Sequence, residues 1–214
     1  MSQSLAELRQ EYSLGALTKA EVDPDPIRQF QRWLDEAIKA ELPEPNALTL
    51  ATADRTGRPF ARVVLLKDCD VDGFVFYTNY RSDKGQQLAE NPHAALVFLW
   101  LELERQVRIE GIVSKVSPSE SESYFRTRPH ESRLGALASR QSQVVANRQI
   151  LEERYQQLAA QYSDDNIPMP NQWGGYRVKP EMLEFWQGRH GRMHDRLRYC
   201  LRKEGGWLLE RLEP

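Results

Sequence analysis

The chain has 214 residues, of which 29 are basic and 31 acidic, so its formal net charge is −2. This length suits one domain that buries its core without a metal or disulfide staple. The near balance of charge argues against a general nucleic-acid binder or a binder of anionic membranes, since both classes carry a basic excess. The two cysteines, Cys69 and Cys200, are too few for a disulfide framework, which indicates a reducing compartment.

The N-terminal residues 1–12 are polar and lack the apolar core of a signal peptide. The longest apolar run spans residues 94–101, far short of the roughly 20 residues that a membrane helix needs. We therefore expect a cytoplasmic protein that binds neither membrane nor nucleic acid. We divide the chain into an arm, residues 1–24, in which 2–12 favour a short helix, and one domain, residues 25–214.

The first helix of the domain is expected to begin after Asp25, which can cap it while Pro26 takes the first helical position. Pro43 and Pro45 are expected to end it. An apolar stripe at helical spacing predicts its buried face, which consists of Ile27, Phe30, Trp33, Leu34, Ala37 and Ile38.

A strand-rich block follows this helix. A turn is predicted at residues 54–57, and a short helix at 82–91 that Pro92 stops. In the last strand Val107, Ile109 and Gly111 share one face. Alternation and β-branched or aromatic content predict strands at residues 47–53, 62–67, 73–78, 95–101 and 106–116.

Helices return in the second half of the chain. Ser117 and Glu120 form a capping box around Pro118, which predicts a helix to about Thr127 and a further short helix after Pro129. A long polar helix is predicted at 147–162, a loop at 164–170, and two or three final strands with a hairpin turn at 204–206. The buried side of the long helix is expected to carry Ile150, Leu151, Tyr155, Leu158 and Tyr162.

The strands do not alternate with helices as they do in parallel βαβ units. This order predicts a mainly β, α+β fold, in which an antiparallel barrel carries peripheral helices. Trp33, Trp100 and Trp207 are expected to lie in the core rather than against a ligand.

Cationic side chains are densest just after the aromatic residues 185–186. Arg192, His194 and Arg196 fall within five residues there. Such a group suits a flat, phosphorylated ligand, although a solvated, charged turn remains the alternative. His190 and His194 are four residues apart, but the neighbouring glycines oppose the helix that a zinc site of this spacing needs, so we predict no metal.

The sequence contains no Gly-rich phosphate loop, so side chains must hold any phosphate. Arg62, Lys67 and Lys84 are the candidates in the middle of the chain. In a regular strand Arg62 and Lys67 would point to opposite faces, because their separation is odd. They would then serve two ligands, or one of them would be solvated.

Seven motifs in order resemble the pyridoxamine 5′-phosphate oxidase family, whose members are FMN enzymes of vitamin B6 metabolism. They are Arg-Val-Val-Leu-Leu-Lys at 62–67, Phe-Tyr-Thr-Asn at 76–79, Leu-Glu-Arg-Gln-Val at 103–107, Tyr-Phe with Arg-Pro at 124–129, Ser-Arg-Gln-Ser at 139–142, Trp-Gly-Gly-Tyr-Arg-Val at 173–178 and Trp-Gln-Gly with Arg-Met-His-Asp-Arg at 186–196.

The resemblance implies an FMN-binding split β-barrel that works as a homodimer, with two sites at the subunit interface. It also implies oxidation of pyridoxamine 5′-phosphate or pyridoxine 5′-phosphate to pyridoxal 5′-phosphate by O2, with release of H2O2 and, from the amine, ammonia. The alternatives are another split-barrel flavin or deazaflavin reductase, or a non-catalytic module that binds FMN or pyridoxal phosphate. The intact motif at 192–196 favours the oxidase.

The same resemblance implies roles for particular residues. Arg192 and His194 match positions beside the reacting carbon. FMN contacts are implied for Arg62, Val63, Val64, Leu65, Leu66, Lys67, Tyr77, Thr78, Lys84, Gln106, Gln141, Ser142, Trp186 and Arg196. Substrate contacts are implied for Arg9, Tyr12, Lys67, Tyr124, Arg128, Ser132, Arg192, Met193 and His194. Asp83 departs from the family pattern, which has Arg there, and Arg81 is a candidate replacement for that cation.

Overall fold

The computed structural model describes residues 4–8, 11–162 and 166–214. The helices are α1 (Pro26–Lys39), α2 (Asp83–Glu90), α3 (Pro118–Thr127), α4 (His130–Ala138) and α5 (Arg148–Gln161). The strands are β1 (Ala47–Ala53), β2 (Pro59–Leu65), β3 (Asp68–Asp70), β4 (Gly73–Asn79), β5 (His93–Trp100), β6 (Arg105–Lys115), β7 (Trp173–Gln187), β8 (Asp195–Leu201) and β9 (Trp207–Leu212).

The strands form one sheet in the order β2-β1-β5-β6-β7-β4-β3, and β8 pairs with both β7 and β9. Strand β4 pairs antiparallel with β3 and β7, and β8 pairs antiparallel with β7 and β9. The predicted α+β class with an antiparallel sheet is confirmed. No described helix has the length and apolar character that crossing a membrane requires.

The chain divides into two compact units. The first comprises residues 1–50, 95–111 and 180–214, and the second comprises residues 51–94 and 112–179.

Helix α1 belongs to the first unit and begins as predicted. The Asp25 carboxylate accepts the Ile27 N–H at 2.9 Å, and Trp33 packs edge-on against Phe185. The helix ends at Lys39, before the prolines. The prediction was wrong for Ile38, which is 52% exposed, because it lies about 100° around the helix from the buried Ala37.

The C-terminal strands β8 and β9 form the predicted hairpin. Gly205 and Gly206 take positive φ angles in its turn, where glycine carries no steric penalty. The buried Tyr199 of β8 donates its hydroxyl proton to the carbonyl oxygen of Asp23 at 2.7 Å. Trp33 and Trp100 are buried as predicted, whereas Trp207 sits next to the turn on the last strand and is only half-buried.

In the second unit, capping residues fix the helix starts that the sequence predicted. The Ser117 hydroxyl accepts the Glu120 N–H at 3.0 Å at the start of α3, and Ser82 caps α2. The predicted buried side of α5 is confirmed only in part, since no residue of α5 is fully buried and Ile150 and Leu151 are 37% and 42% exposed. Only its later residues, Tyr155 and Leu158 among them, pack against a cluster centred on Phe125, Leu134, Ile167 and Trp173.

The helix predicted at residues 2–12 is contradicted in the described part of the arm, and residues 2–3 and 9–10 lie outside the described residues. The described part of the arm has one 3-10 turn, Leu5–Glu7, and Glu11 and Tyr12 have no helical structure. The backbone N–H groups of Ser13 and Leu14 bond instead to the Glu104 carboxylate.

Candidate functional site

A pocket of 670 Å³ in the second unit gathers most of the predicted ligand residues. Four of its side chains are cationic, and its described lining includes no carboxylate. Twelve lining residues were predicted from the sequence: Arg62, Val63, Val64, Leu65, Lys67, Tyr77, Thr78, Lys84, Tyr124, Arg128, Ser132 and Gln141. Thr127, Pro129 and Trp173 complete the lining. A cationic pocket without acidic residues is suited to an anion.

Arg62 and Lys67 line the same pocket, although strand periodicity placed them on opposite faces. Strand β2 ends at Leu65, so its alternation does not extend to Lys67. The Lys67 N–H instead bonds to the carbonyl of Val75 on β4 at 2.8 Å. This break in the strand accounts for both cations lining one pocket.

The Arg62 guanidinium is fixed by two buried polar side chains. Its Nη1 donates to the Thr52 hydroxyl at 2.6 Å and its Nη2 to Oε1 of Gln87 at 2.8 Å. The Thr52 hydroxyl donates to the same Gln87 oxygen at 2.7 Å. A guanidinium held in this way keeps its orientation before a ligand binds.

Lys84 reaches the pocket from the first turn of α2. Its Nζ donates to Oε1 of Gln141 at 3.2 Å, and the Thr78 hydroxyl donates to the same atom at 3.1 Å. Burial and the nearby positive charge of Arg62 lower the pKa of Lys84, while Asp83 opposes them. Two cations this close together favour a shared anion, and a phosphate fits that requirement.

Asp83 and Arg81 lie outside the described lining of this pocket. Asp83 is exposed and outside the pocket lining, and its charge raises the pKa of Arg62 against the larger, lowering effect of burial. Arg81 lines a separate pocket of 540 Å³ with Arg140 and Arg154. Nothing in the described structure therefore supports Arg81 as the replacement cation.

Three aromatic rings form one wall of the pocket. Tyr77 stacks on Tyr124 with ring centroids 3.9 Å apart and on Trp173 at 5.4 Å. Burial, together with the Glu120 carboxylate, raises the pKa of Tyr77 to about 12. Burial also raises the pKa of Tyr124, so both hydroxyls stay protonated and can donate to an anion.

Arg128 caps the C-terminus of α3 and lies over the Trp173 ring, with its Cζ 4.8 Å from the ring centroid. Its Nη1 is buried and has no hydrogen-bond partner among the described residues. Burial lowers its pKa, yet a guanidinium stays charged at any physiological pH. An unpaired buried donor is costly, so this atom would gain from a hydrogen bond to an anion.

The predicted residues of the first unit form a separate aromatic cluster. Trp186 lies 4.6 Å from the His194 ring, and Tyr12 lies edge-on to both at 5.7 Å. The Arg189 N–H donates to Nδ1 of His194 at 3.1 Å, so neutral His194 carries its proton on Nε2. Burial and the charge of Arg192 lower the pKa of His194, which favours this neutral form.

The remaining predicted residues have varied surroundings. Arg196 forms an ion pair with Glu184 at 2.7 Å, Gln106 is half-buried, and Met193 and Arg192 are exposed, the latter with φ of 64°. Leu66 is buried and Ser142 is exposed, outside the described lining of the large pocket. Arg9 lies outside the described residues. The roles of all these residues stay predictions.

Sequence reasoning missed three residues that shape the large pocket. Thr52 and Gln87 carry no ligand motif, and only their pairing with Arg62 in space reveals them. Trp173 belongs to a motif that we recognised, but an aromatic residue at a strand start gives no sign of whether it faces core or ligand.

Comparison with known proteins identifies the family. Residues 34–162 match the family model described as pyridoxamine 5′-phosphate oxidase. Residues 173–214 match the model of the pyridoxine 5′-phosphate oxidase C-terminal dimerisation region. The chain belongs to the pyridoxine/pyridoxamine 5′-phosphate oxidase family. The resemblance that the sequence motifs indicated is thereby confirmed.

Full-length relatives in this oxidase family agree. The pyridoxine/pyridoxamine 5′-phosphate oxidase of Trichormus variabilis is 56% identical over 100% of both chains. That of Paraburkholderia phymatum is 58% identical over 99% of both. The predicted enzyme type is confirmed by these relatives.

Solved structures confirm the fold of the family. PhzG from Burkholderia lata, in complex with tetrahydrophenazine-1-carboxylic acid, has a TM-score of 0.88 at 32% identity and covers 94% of this chain and 100% of its own. An FMN-binding protein related to pyridoxamine 5′-phosphate oxidase, from Nostoc punctiforme, has a TM-score of 0.72 at 18% identity, covering 89% of this chain and 98% of its own. The predicted split-barrel fold is confirmed.

Proposed function

We propose that this chain is an FMN-dependent oxidase that converts pyridoxamine 5′-phosphate or pyridoxine 5′-phosphate to pyridoxal 5′-phosphate. In the proposed reaction O2 is reduced to H2O2, and the amine substrate also releases ammonia. We further propose that the enzyme works as a homodimer, because residues 173–214 match the dimerisation region of the family.

One observation carries the substrate proposal. The buried Nη1 of Arg128 has no hydrogen-bond partner among the described residues, and Arg128 lines a pocket that Lys67, Tyr124 and Ser132 also line. These side chains supply two positive charges and two hydroxyl donors, which match the oxygens of a phosphate monoester. The substrate phosphate would be held there, and the pyridine ring would thereby be positioned for reaction.

The residues of the chain also fit FMN. Arg62 and Lys84 are two neighbouring cations in a pocket whose described lining includes no carboxylate, so they would hold the FMN phosphate. Gln141 and Thr78 line the pocket beside them. Bound FMN would accept a hydride from the 4′ carbon of the substrate and return the electrons to O2. The protein supplies binding and orientation to this chemistry.

His194 and Arg192 are proposed to orient the 4′ substituent. Neutral His194 offers its Nε2–H as a donor, because Nδ1 already accepts from Arg189. The Arg192 guanidinium stays protonated and therefore acts by charge and hydrogen bonding rather than as a base.

The purified protein is expected to be yellow and to release FMN, not FAD, on denaturation. With pyridoxine 5′-phosphate and O2 it should produce peroxide and pyridoxal 5′-phosphate in equal amounts. Tetrahydrophenazine-1-carboxylic acid, the ligand in the PhzG complex, serves as the control compound, since it carries a carboxylate in place of a phosphate. Colourless protein that takes up no FMN would overturn the proposal. Yellow protein without turnover would indicate a binding module, and turnover that requires a nicotinamide would indicate a reductase.

The oxidase is expected to lose kcat/KM at acid pH with a midpoint below 6.5, the ordinary pKa of histidine. Burial and Arg192 lower the pKa of His194, so the ring is neutral above that value. Protonation places a hydrogen on Nδ1, which can then no longer accept the Arg189 N–H. The contribution of this neutral ring to stability is likewise complete above 6.5 and is lost as the pH falls through the lowered pKa. A pH profile in which His194→Asn keeps the same acid limb would contradict this assignment.

A further inference from the structure

The segment of residues 12–17, here called the strap, is held within the first unit mainly through hydrogen bonds of its backbone. The Ser13 and Leu14 N–H groups donate to Oε2 of Glu104 at 2.8 and 2.9 Å. Farther along, the Leu17 N–H donates to the Asp195 carboxylate at 3.0 Å. These backbone N–H groups thus donate to two carboxylates and not to carbonyl oxygens of a helix.

Arginine side chains hold the strap carbonyls. Nη1 of Arg189 donates to the Gly15 oxygen at 3.0 Å, and Nη2 of Arg211 donates to the Leu17 oxygen at 2.8 Å. Asp195 pairs with Arg211 at 2.5 Å. It therefore links the carboxylates that accept from the strap N–H groups to the arginines that donate to the strap carbonyls. This accounts for the acidic residue in the Arg-Met-His-Asp-Arg motif, to which the sequence assigned no role.

The strap packs closely against the backbone at Gly188. A Cβ added to Gly188 would lie 2.7 Å from Cγ of Tyr12, closer than real side chains come. The Gly188 N–H donates to the carbonyl of Glu104 at 2.8 Å. Glu104 itself has a left-handed φ of 54°, a conformation that is unfavourable for a non-glycine residue. Strained backbone of this kind persists where surrounding contacts fix it.

We propose that Glu104 is a positioning residue, which holds Tyr12 against Trp186 and His194 by binding the two N–H groups that follow Tyr12. Its role in turnover rests on the proposed function and on the substrate contact that the family resemblance implies for Tyr12. A carboxylate accepting two backbone N–H groups forms stronger hydrogen bonds than a neutral acceptor does. Glu104 contacts the strap but none of the proposed reacting groups, so it acts through Tyr12.

Hydrogen exchange tests whether Glu104 anchors the strap. In the flavin-loaded protein, Glu104→Ala should accelerate exchange of the Ser13 and Leu14 amides by at least about ten-fold, the value of one hydrogen bond to a charged group. Glu102→Ala is the matched control, since Glu102 is an exposed residue of the 3-10 turn Leu101–Leu103, which Glu104 caps at its C-terminal end. Equal exchange in Glu104→Ala and wild type would overturn the proposal.

Kinetics test whether the anchored strap positions Tyr12. Glu104→Ala should raise the KM for pyridoxine 5′-phosphate about ten-fold with unchanged flavin content. Glu104→Gln should restore part of the loss, because an amide oxygen still accepts. In a Tyr12→Ala background, Glu104→Ala should have no further effect, as expected of a residue that acts through Tyr12.

Two other outcomes would contradict the role in positioning. One is additive effects of the Tyr12 and Glu104 substitutions, and the other is an unchanged KM despite faster exchange. If the wild-type protein does not oxidise pyridoxine 5′-phosphate, the proposed function fails. The exchange experiment would still decide whether Glu104 anchors the strap.

Discussion

Arg62→Ala is expected to raise the FMN dissociation constant by about ten- to hundred-fold. This is the loss expected when a charged partner worth about 1.5–3 kcal/mol is removed from an anion. The fold should survive, because Thr52 and Gln87 keep the hydrogen bond that joins them at 2.7 Å. Flavin titration followed by absorbance measures the constant, and the melting temperature of the apoprotein measures the fold.

Arg58→Ala is the matched control for this prediction. Arg58 immediately precedes β2, is exposed and lies over the Phe60 ring. Its substitution therefore removes the same charge from a position outside the described pocket lining. Arg62→Ala with wild-type flavin affinity would remove the Arg62, Thr52 and Gln87 network from the cofactor site. Equal losses in both variants would show a general effect of net charge rather than a specific contact.

Arg128→Ala is expected to raise the KM for pyridoxine 5′-phosphate by about ten- to hundred-fold while FMN stays bound. The substitution takes away the buried Nη1 that has no described protein partner, so it breaks no hydrogen bond made by that atom within the protein. It also removes the cation over Trp173, which is expected to lower stability by about 0.5–2 kcal/mol. Steady-state peroxide production at several substrate concentrations separates KM from kcat.

Arg126→Ala is the matched control for Arg128. Both residues belong to the end of α3, but Arg126 is 75% exposed and pairs with Glu122 on the helix surface. Its loss should change neither constant measurably, since exposed ion pairs contribute little. A KM for Arg128→Ala close to that of Arg126→Ala would contradict the proposed phosphate site.

Local signals predicted much of the fold. Asp25, Ser82 and Ser117 sit where a hydroxyl or carboxylate can accept helical N–H groups, and each begins a helix at the expected place. The exposed Ile150 of α5 shows the limit. Periodicity identifies an apolar face, but it does not show how much of that face finds a neighbour.

For the candidate site, too, some features could be predicted from local sequence and others could not. Short motifs that resemble one family predicted a common site for Tyr124 and Arg128, and both residues line the large pocket. The joint placement of Arg62 and Lys67 could not be predicted, since it depends on where β2 stops and on a backbone bond to β4. The roles of Glu104 and Asp195 in binding the strap also depend on long-range contacts, which one sequence does not reveal.

The stacked wall of Tyr77, Tyr124 and Trp173 has an entropic consequence. The three rings already lie nearly parallel, and Gly175 admits Tyr77 closely, since an added Cβ would come within 2.8 Å of its ring. A ligand that settles against these rings therefore has no loose side chains to immobilise there. Ordering each one on binding would otherwise cost about 0.5–1.5 kcal/mol, so the wall lets a small phosphorylated molecule keep more of its contact energy as affinity.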